Sequence, residues 1–124
     1  MIAADTSSIA AYFSGGKGPD ISLIDGALAQ GALWLPPVVL TEALSEPLSR
    51  ANLLPIIVGW RLLPILPDYW LRASETRARV IAKGLRARLP DALIAQSCID
   101  HGVALITRHN DFRHFEKHCG LKLA

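Results

Sequence analysis

Four acidic residues stand at points of the chain where carboxylate chemistry could be assembled. Asp5 follows a short apolar run, Glu42 lies in a helix-like segment, Asp91 opens a predicted helix, and Asp111 follows a β-like run. The C-terminal ends of parallel strands meet at one edge of a sheet, so these side chains can converge there. Carboxylates gathered without cations repel each other and recruit a hard divalent ion. The pattern predicts a Mg²⁺ or Mn²⁺ site.

Each of the four acids also has a plainer interpretation. Asp5 is a favoured helix N-cap residue, and Glu42 would normally face solvent. Asp91 would stabilise a helix dipole, and turn chemistry alone would explain Asp111. Their order and context together, rather than any one of them, favour the metal site.

Short apolar runs alternate with amphipathic segments along the whole chain. The sequence predicts strands at residues 1–4, 32–35, 61–66, 103–106 and 121–123. It predicts helices at residues 9–13, 21–30, 38–45, 48–59, 68–83, 91–100 and 112–118. Alternation of this kind predicts an α/β fold, a three-layer α/β/α sandwich with a central, mainly parallel sheet.

Three local features add detail to the predicted positions of these strands and helices. Pro64 lacks an N–H, which predicts that its strand lies at an edge of the sheet. Asp20 is expected to cap the second helix. The long fifth helix is expected to turn a stripe of four residues inward: Tyr69, Ala73, Val80 and Ile81.

The bulk properties limit the class of protein. A chain of 124 residues predicts one domain spanning 1–124. The net charge of +2 permits nucleic-acid binding without requiring it. Two cysteines fit a reduced compartment, with Cys98 in the core. Without an apolar run long enough for a membrane or a basic leader, we expect no membrane partner and a cytoplasmic protein.

The order of these pieces resembles the PIN domain, and specifically the VapC-type toxin ribonucleases. The matching segments are residues 2–7, 40–43, 89–95, 104–112 and 120–121. The resemblance covers the whole chain, with an unspecific stretch at about 47–88. It implies a PIN-like fold in which Asp5, Glu42 and Asp91 form the core acidic triad.

The resemblance also implies a fourth ligand two residues after Thr107, where this chain departs from the family. That position holds His109, and the nearest carboxylate is Asp111. A neutral imidazole can bind a metal, although a hard-ion site disfavours it. The sequence leaves the fourth ligand open between His109 and Asp111, and the ion open between Mg²⁺ and Mn²⁺.

By this resemblance the chain is expected to be an endoribonuclease that hydrolyses RNA with metal-activated water. It would be a toxin neutralised by a cognate antitoxin protein, and it would pair as a homodimer. The candidate RNA contacts are Thr6, Arg108, His109 and Arg113. The alternative is a PIN-like module that has lost catalysis and binds RNA or a protein. The absence of an acid at His109 motivates that alternative.

Overall fold

Five short strands form one parallel sheet in the computed structural model, which describes residues 1–124. The strands are β1 (Ile2–Ala4), β2 (Leu33–Leu35), β3 (Arg61–Leu62), β4 (Ala104–Ile106) and β5 (Lys122–Leu123). Their order in the sheet is β3-β2-β1-β4-β5, and every neighbouring pair is parallel. The predicted α/β/α fold is confirmed, and β1 and β4 are adjacent in the sheet.

Seven helices connect and cover these strands. They are α1 (Thr6–Phe13), α2 (Pro19–Ala29), α3 (Pro37–Ala43), α4 (Pro47–Ile57), α5 (Tyr69–Ala82), α6 (Leu89–His101) and α7 (Phe112–Cys119). Parallel neighbours need crossover connections, and each crossover here contains at least one helix. No helix combines the length and the apolar character needed to cross a membrane.

The core lies where the sheet meets its helices. It contains 23 buried residues, including Phe112, Phe115, Leu35 and Leu105. The strands β1 and β4 are apolar at successive positions because both of their faces are covered. Cys98 is fully buried, as predicted.

Three local predictions were wrong. The third strand ends at Leu62 rather than at residue 66. The N–H of Leu63 still donates to the Leu35 carbonyl at 2.8 Å. Pro64 has no N–H, so it cannot continue the hydrogen bonding of the strand. The edge position of β3 is confirmed. Asp20 does not cap α2, which begins at Pro19 after Gly18.

The third correction concerns α5. Ile81 is 48% exposed, whereas Thr76 is buried in the inward stripe. Thr76 can be buried because its hydroxyl donates to the Gln96 side chain on α6. Gln96 Nε2 in turn donates to Asp100 Oδ1 at 2.9 Å, and Arg72 of α5 forms an ion pair with Asp100. A polar ladder therefore joins α5 to α6.

Candidate metal centre

The carboxylate of Asp5 lies at the C-terminal end of β1 and is almost completely buried. Ser8 N–H donates to its Oδ1 at 3.0 Å, so Asp5 is the N-cap of α1, as its plainer interpretation predicted. Ser7 Oγ lies 2.9 Å from both carboxylate oxygens, and Thr107 Oγ1 donates to Oδ2 at 2.6 Å. Donors from α1 and from the residue after β4 therefore fix this carboxylate in one orientation.

The Thr107 hydroxyl ties the turn after β4 to Asp5. It donates to Asp5 and accepts a hydrogen bond from the His109 N–H at 3.0 Å. The pairing of β1 with β4 makes this contact possible, because it places Ala4 opposite Ile106 and leaves the next residues side by side. Two residues 102 apart in sequence thus share one hydrogen bond.

Glu42 reaches the same end of the sheet from α3. Thr6 Oγ1 donates to Glu42 Oε1 at 2.6 Å, which joins Glu42 to the residue next to Asp5. The helix α3 packs against α1 and α6. Thr6 and Glu42 also line one groove of about 560 Å³ between α1, α3 and α4.

Asp91, His109 and Asp111 form a cluster whose possible ligand atoms all lie within 4.8 Å of one another. Asp91 is in the first turn of α6. Its Oδ2 is buried and has no hydrogen-bond partner. Burial raises the pKa of the Asp91 carboxyl, and the charges of Asp111 and Asp5 raise it further, whereas His109 and Arg88 lower it. Asp5 and Asp111 are therefore both within electrostatic reach of Asp91.

The side chain of Asp111 is not used to cap α7, although the residue occupies the N-cap position. Its Oδ2 lies 3.9 Å from His109 Nδ1 and 3.9 Å from Arg86 Nε. The backbone N–H of Asp111 donates to His109 Nδ1 at 3.3 Å. The ring of His109 packs edge to face on Phe112, with 6.3 Å between ring centroids.

Three of the four RNA-contact candidates are already engaged within the protein, His109 through the contacts just described. The Arg108 guanidinium donates two hydrogen bonds of 2.8 Å to the Asp20 carboxylate and a third, of 3.3 Å, to the Lys17 carbonyl. Hydrogen bonding from Arg108 lowers the pKa of Asp20, although burial opposes this. The Thr6 hydroxyl donates to Glu42, as described above. Arg113 is exposed on α7 and forms no ion pair.

The residues at this edge fit a divalent cation. Asp91 and Asp111 lie together with His109, whereas Asp5 and Glu42 lie outside that 4.8 Å cluster and are bonded to neighbouring hydroxyl groups. The nearest cation in ion-pair contact is Arg86, at 3.9 Å from Asp111. A buried carboxylate oxygen without a partner is costly, by about 1–3 kcal/mol, unless a ligand completes its coordination. Oxygen donors of this kind suit Mg²⁺ and Mn²⁺.

Sequence reasoning missed two contacts around this site. Thr107 holds Asp5, and its place directly after the β4 run was a usable signal, since it comes at the end of a strand. The Arg108–Asp20 pair joins residues 88 apart, and no local pattern indicated it. Arg108 was assigned to RNA because it lies in a basic segment.

The comparisons with known proteins agree with this architecture. The family model of the PIN domain matches residues 2–118. Among solved structures, the crystal structure of VapBC2 from Rickettsia felis bound to a DNA fragment from their promoter is similar, with a TM-score of 0.73 and 20% sequence identity. That match covers 100% of this chain and 98% of the other. No curated protein sequence matches the chain.

Proposed function

The chain belongs to the PIN domain family, and on that premise we propose that it is a Mg²⁺- or Mn²⁺-dependent endoribonuclease of the VapC type. In this proposal it is the toxin of a type II toxin–antitoxin pair. The likeness to one chain of the Rickettsia felis VapBC2 structure supports the VapC-type assignment. We further propose that residues 1–124 act as one domain in the cytoplasm.

The observation that carries the proposal is the unpartnered Oδ2 of Asp91. It is buried beside Asp111 and His109, in a cluster whose ligand atoms lie within 4.8 Å of one another. Asp100 on the same helix also has a buried oxygen without a partner, but Asp100 is neutralised by an ion pair with Arg72, whereas Asp91 has no ion pair and lies beside a second carboxylate and an imidazole. A buried carboxylate oxygen without a hydrogen-bond partner, next to other metal-binding groups, is free to coordinate a cation.

In the proposed site, Asp5, Glu42 and Asp91 hold the ion and Asp111 completes the set. A bound Mg²⁺ or Mn²⁺ would supply Lewis-acid chemistry, which is the polarisation of the phosphodiester and the activation of a water molecule. Ser7 and Thr107 hold the Asp5 carboxylate in orientation, and Thr6 does the same for Glu42. The reaction requires no side-chain nucleophile.

RNA binding is proposed for the basic side chains around the acidic cluster. Arg113 is exposed and unpaired, so it can contact a phosphate without breaking an existing bond. Thr6 and His109 face the carboxylates and are placed near the scissile bond in this proposal. Arg108 would contribute mainly by holding its turn, because its guanidinium already binds Asp20.

The groove between α1, α3 and α4 supports the proposal of an antitoxin partner. It is lined largely by apolar side chains and extends to Thr6 and Glu42. Leu48 and Ile56 in its wall are 88% and 50% exposed. A peptide lying there would cover apolar surface and reach the acids at the same time.

We also propose that the toxin is a homodimer. A second apolar surface on α5 and α6 includes Trp70, Ile81 and Leu89, which are 66%, 48% and 56% exposed. Exposed apolar groups of this size favour burial against another chain. Sedimentation equilibrium should give twice the chain mass of 13.4 kDa, and the monomer mass would contradict the dimer.

The central experiment is RNA cleavage by purified Asp5→Asn and Glu42→Gln variants in Mn²⁺. Both substitutions keep the side-chain size, and an asparagine at position 5 can still cap α1. We expect each to lose cleavage by at least about 100-fold, since each removes a metal ligand. Glu116→Gln, an exposed acid on α7, is the matched control and should cleave like the parent.

Unchanged cleavage in both variants would reject the proposed nuclease site. A parent protein that binds RNA but neither binds Mn²⁺ nor cleaves would instead favour the catalytically inactive PIN-like module. Circular dichroism of each variant separates loss of chemistry from loss of fold.

A further inference from the structure

We propose that the His109 ring is itself a ligand of this centre, so that the chain holds its ion with a mixed nitrogen and oxygen set and selects Mn²⁺ over Mg²⁺. This inference rests on the proposed function, because it concerns the ion of the same site. It resolves the choice between His109 and Asp111 by giving both a role.

The imidazole of His109 lies close to the carboxylates of both Asp91 and Asp111. A ligand nitrogen of His109 and carboxylate oxygens of Asp91 and Asp111 all lie within 4.8 Å of one another. Ligands on opposite sides of one ion with bonds of about 2.1 Å are separated by roughly 4.2 Å. Ligands that are adjacent on such an ion stand only roughly 3.0 Å apart, so the three side chains would move together by up to roughly 1.8 Å to share a cation.

His109 is held in place from two sides before any ion binds. Its backbone N–H donates to Thr107 Oγ1, which also binds Asp5. Its ring packs edge to face on Phe112, which is fully buried. A ring fixed in this way loses little side-chain entropy on coordination, because packing has already ordered it.

The lone pair of one ring nitrogen is occupied only by a long hydrogen bond from the backbone. The Asp111 N–H can only donate, so His109 Nδ1 accepts its hydrogen bond. At 3.3 Å that bond is long, and replacing it with a metal contact sacrifices little. Asp91 Oδ2 supplies the neighbouring lone pair, since it is buried without a partner.

The donor set determines which ion is favoured. Mg²⁺ is best served by carboxylate, carbonyl and water oxygens, and it gives up its waters reluctantly. Imidazole is a softer donor than a carboxylate or water oxygen and suits transition-metal ions better than Mg²⁺, so of these two ions a site with one imidazole among its carboxylates favours Mn²⁺.

The direct test is pulsed electron paramagnetic resonance of the metal-free full-length protein loaded with one equivalent of Mn²⁺. We expect nitrogen couplings from a coordinated imidazole. These couplings should vanish in His109→Gln. They should persist in the control His118→Gln, which changes a histidine in the last turn of α7. Circular dichroism confirms that both variants are folded.

Calorimetry supplies the second measurement. The parent should bind Mn²⁺ at least about tenfold more tightly than Mg²⁺, and His109→Asp should reduce that ratio by strengthening Mg²⁺ binding. Bound Mn²⁺ without nitrogen couplings, or couplings that survive in His109→Gln, would overturn this inference and leave the nuclease proposal intact. Binding of Mg²⁺ without Mn²⁺ would also overturn this inference, and failure of the parent to bind either ion would overturn the proposed function itself.

Discussion

Two aspartates of helix α6 have opposite surroundings. Both Asp91, near its N-terminus, and Asp100, near its C-terminus, have a buried Oδ2 without a hydrogen-bond partner. Asp100 is compensated because Arg72 forms an ion pair with it and Gln96 donates to it. Asp91 forms no ion pair and lies beside Asp111 and His109.

The difference separates a structural charge from a functional one. The charge of Asp100 is neutralised by a cation that the chain carries, so this residue contributes to the α5–α6 interface. The charge of Asp91 has no ion-pair partner in the chain, and in the proposed site a divalent cation would neutralise it. Burial of the Asp91 carboxyl raises its pKa, and the nearby charges of Asp111 and Asp5 raise it further. Substitutions at the two positions should therefore have opposite consequences.

The largest expected effect is on RNA cleavage. Asp91→Asn should lower kcat/KM by at least about 100-fold, because it removes a proposed metal ligand. Asp100→Asn makes the same chemical change on the same helix and should stay within about threefold of the parent, since it lies outside the proposed site. Equal losses in the two variants, measured on one RNA substrate in Mn²⁺, would remove the distinction.

The next effect is on stability at Asp100. Asp100→Asn should lower the free energy of unfolding by about 1–3 kcal/mol, because Arg72 loses its partner in a partly buried interface. Urea unfolding followed by circular dichroism measures this change. A loss no larger than that of the exposed control Glu116→Gln would mean that the polar ladder contributes little.

A smaller effect of opposite sign is expected at Asp91. Its folded-state pKa is raised, so ionised Asp91 opposes folding, and the penalty develops as the pH rises through and above the ordinary value of 3.8. Metal-free Asp91→Asn should therefore be more stable than the parent near neutral pH, by up to about 1 kcal/mol. Thermal unfolding in chelator should show this gain shrinking as the pH is lowered toward 4. A destabilised Asp91→Asn would indicate a structural role.

The smallest effect concerns Asp20, which is paired like Asp100 but adjoins the proposed site. Arg108 holds the pKa of Asp20 low, so the pair stabilises the protein above pH 3.8 and that stability is lost as the pH falls through the folded-state pKa. Asp20→Asn should cost at most about 1 kcal/mol, because Arg108 is partly exposed.

The same Asp20→Asn substitution should lower cleavage only about threefold, by loosening the turn that carries Thr107 and His109. Asp25→Asn, on the same helix, is the control for both measurements; Asp25 is exposed and accepts a hydrogen bond of 2.8 Å from the Tyr12 hydroxyl, which an asparagine oxygen can also accept. A loss of stability with no change in cleavage would confine Arg108 to a structural role.

The sequence predicted the elements better than the contacts between them. Alternating apolar runs were enough for the parallel sheet, because strands buried on both faces are apolar throughout. The cap at Asp5 was also readable, since capping is local. The predicted cap at Asp20 was wrong because only local chemistry was readable there. Its actual partner, Arg108, lies 88 residues away in the sequence.

The candidate site was predictable only in part. Strand ends gave the positions of Asp5 and Asp111, and the order of β1 and β4 in the sheet brings their ends together. The choice between His109 and Asp111 depends on how the turn after β4 folds back on Thr107, which no periodicity encodes. The free oxygen of Asp91 likewise becomes visible only when every neighbouring donor is known.

The most direct test of the central claim is anomalous diffraction from a crystal of the protein soaked in Mn²⁺. We expect one strong manganese peak at the end of β1 and β4, with oxygens of Asp5 and Asp91 at about 2 Å from the ion. The same soak of Asp91→Asn should show that peak weakened or absent. A peak elsewhere, or none in the parent at millimolar Mn²⁺, would contradict the claim that these acids assemble to hold a dication.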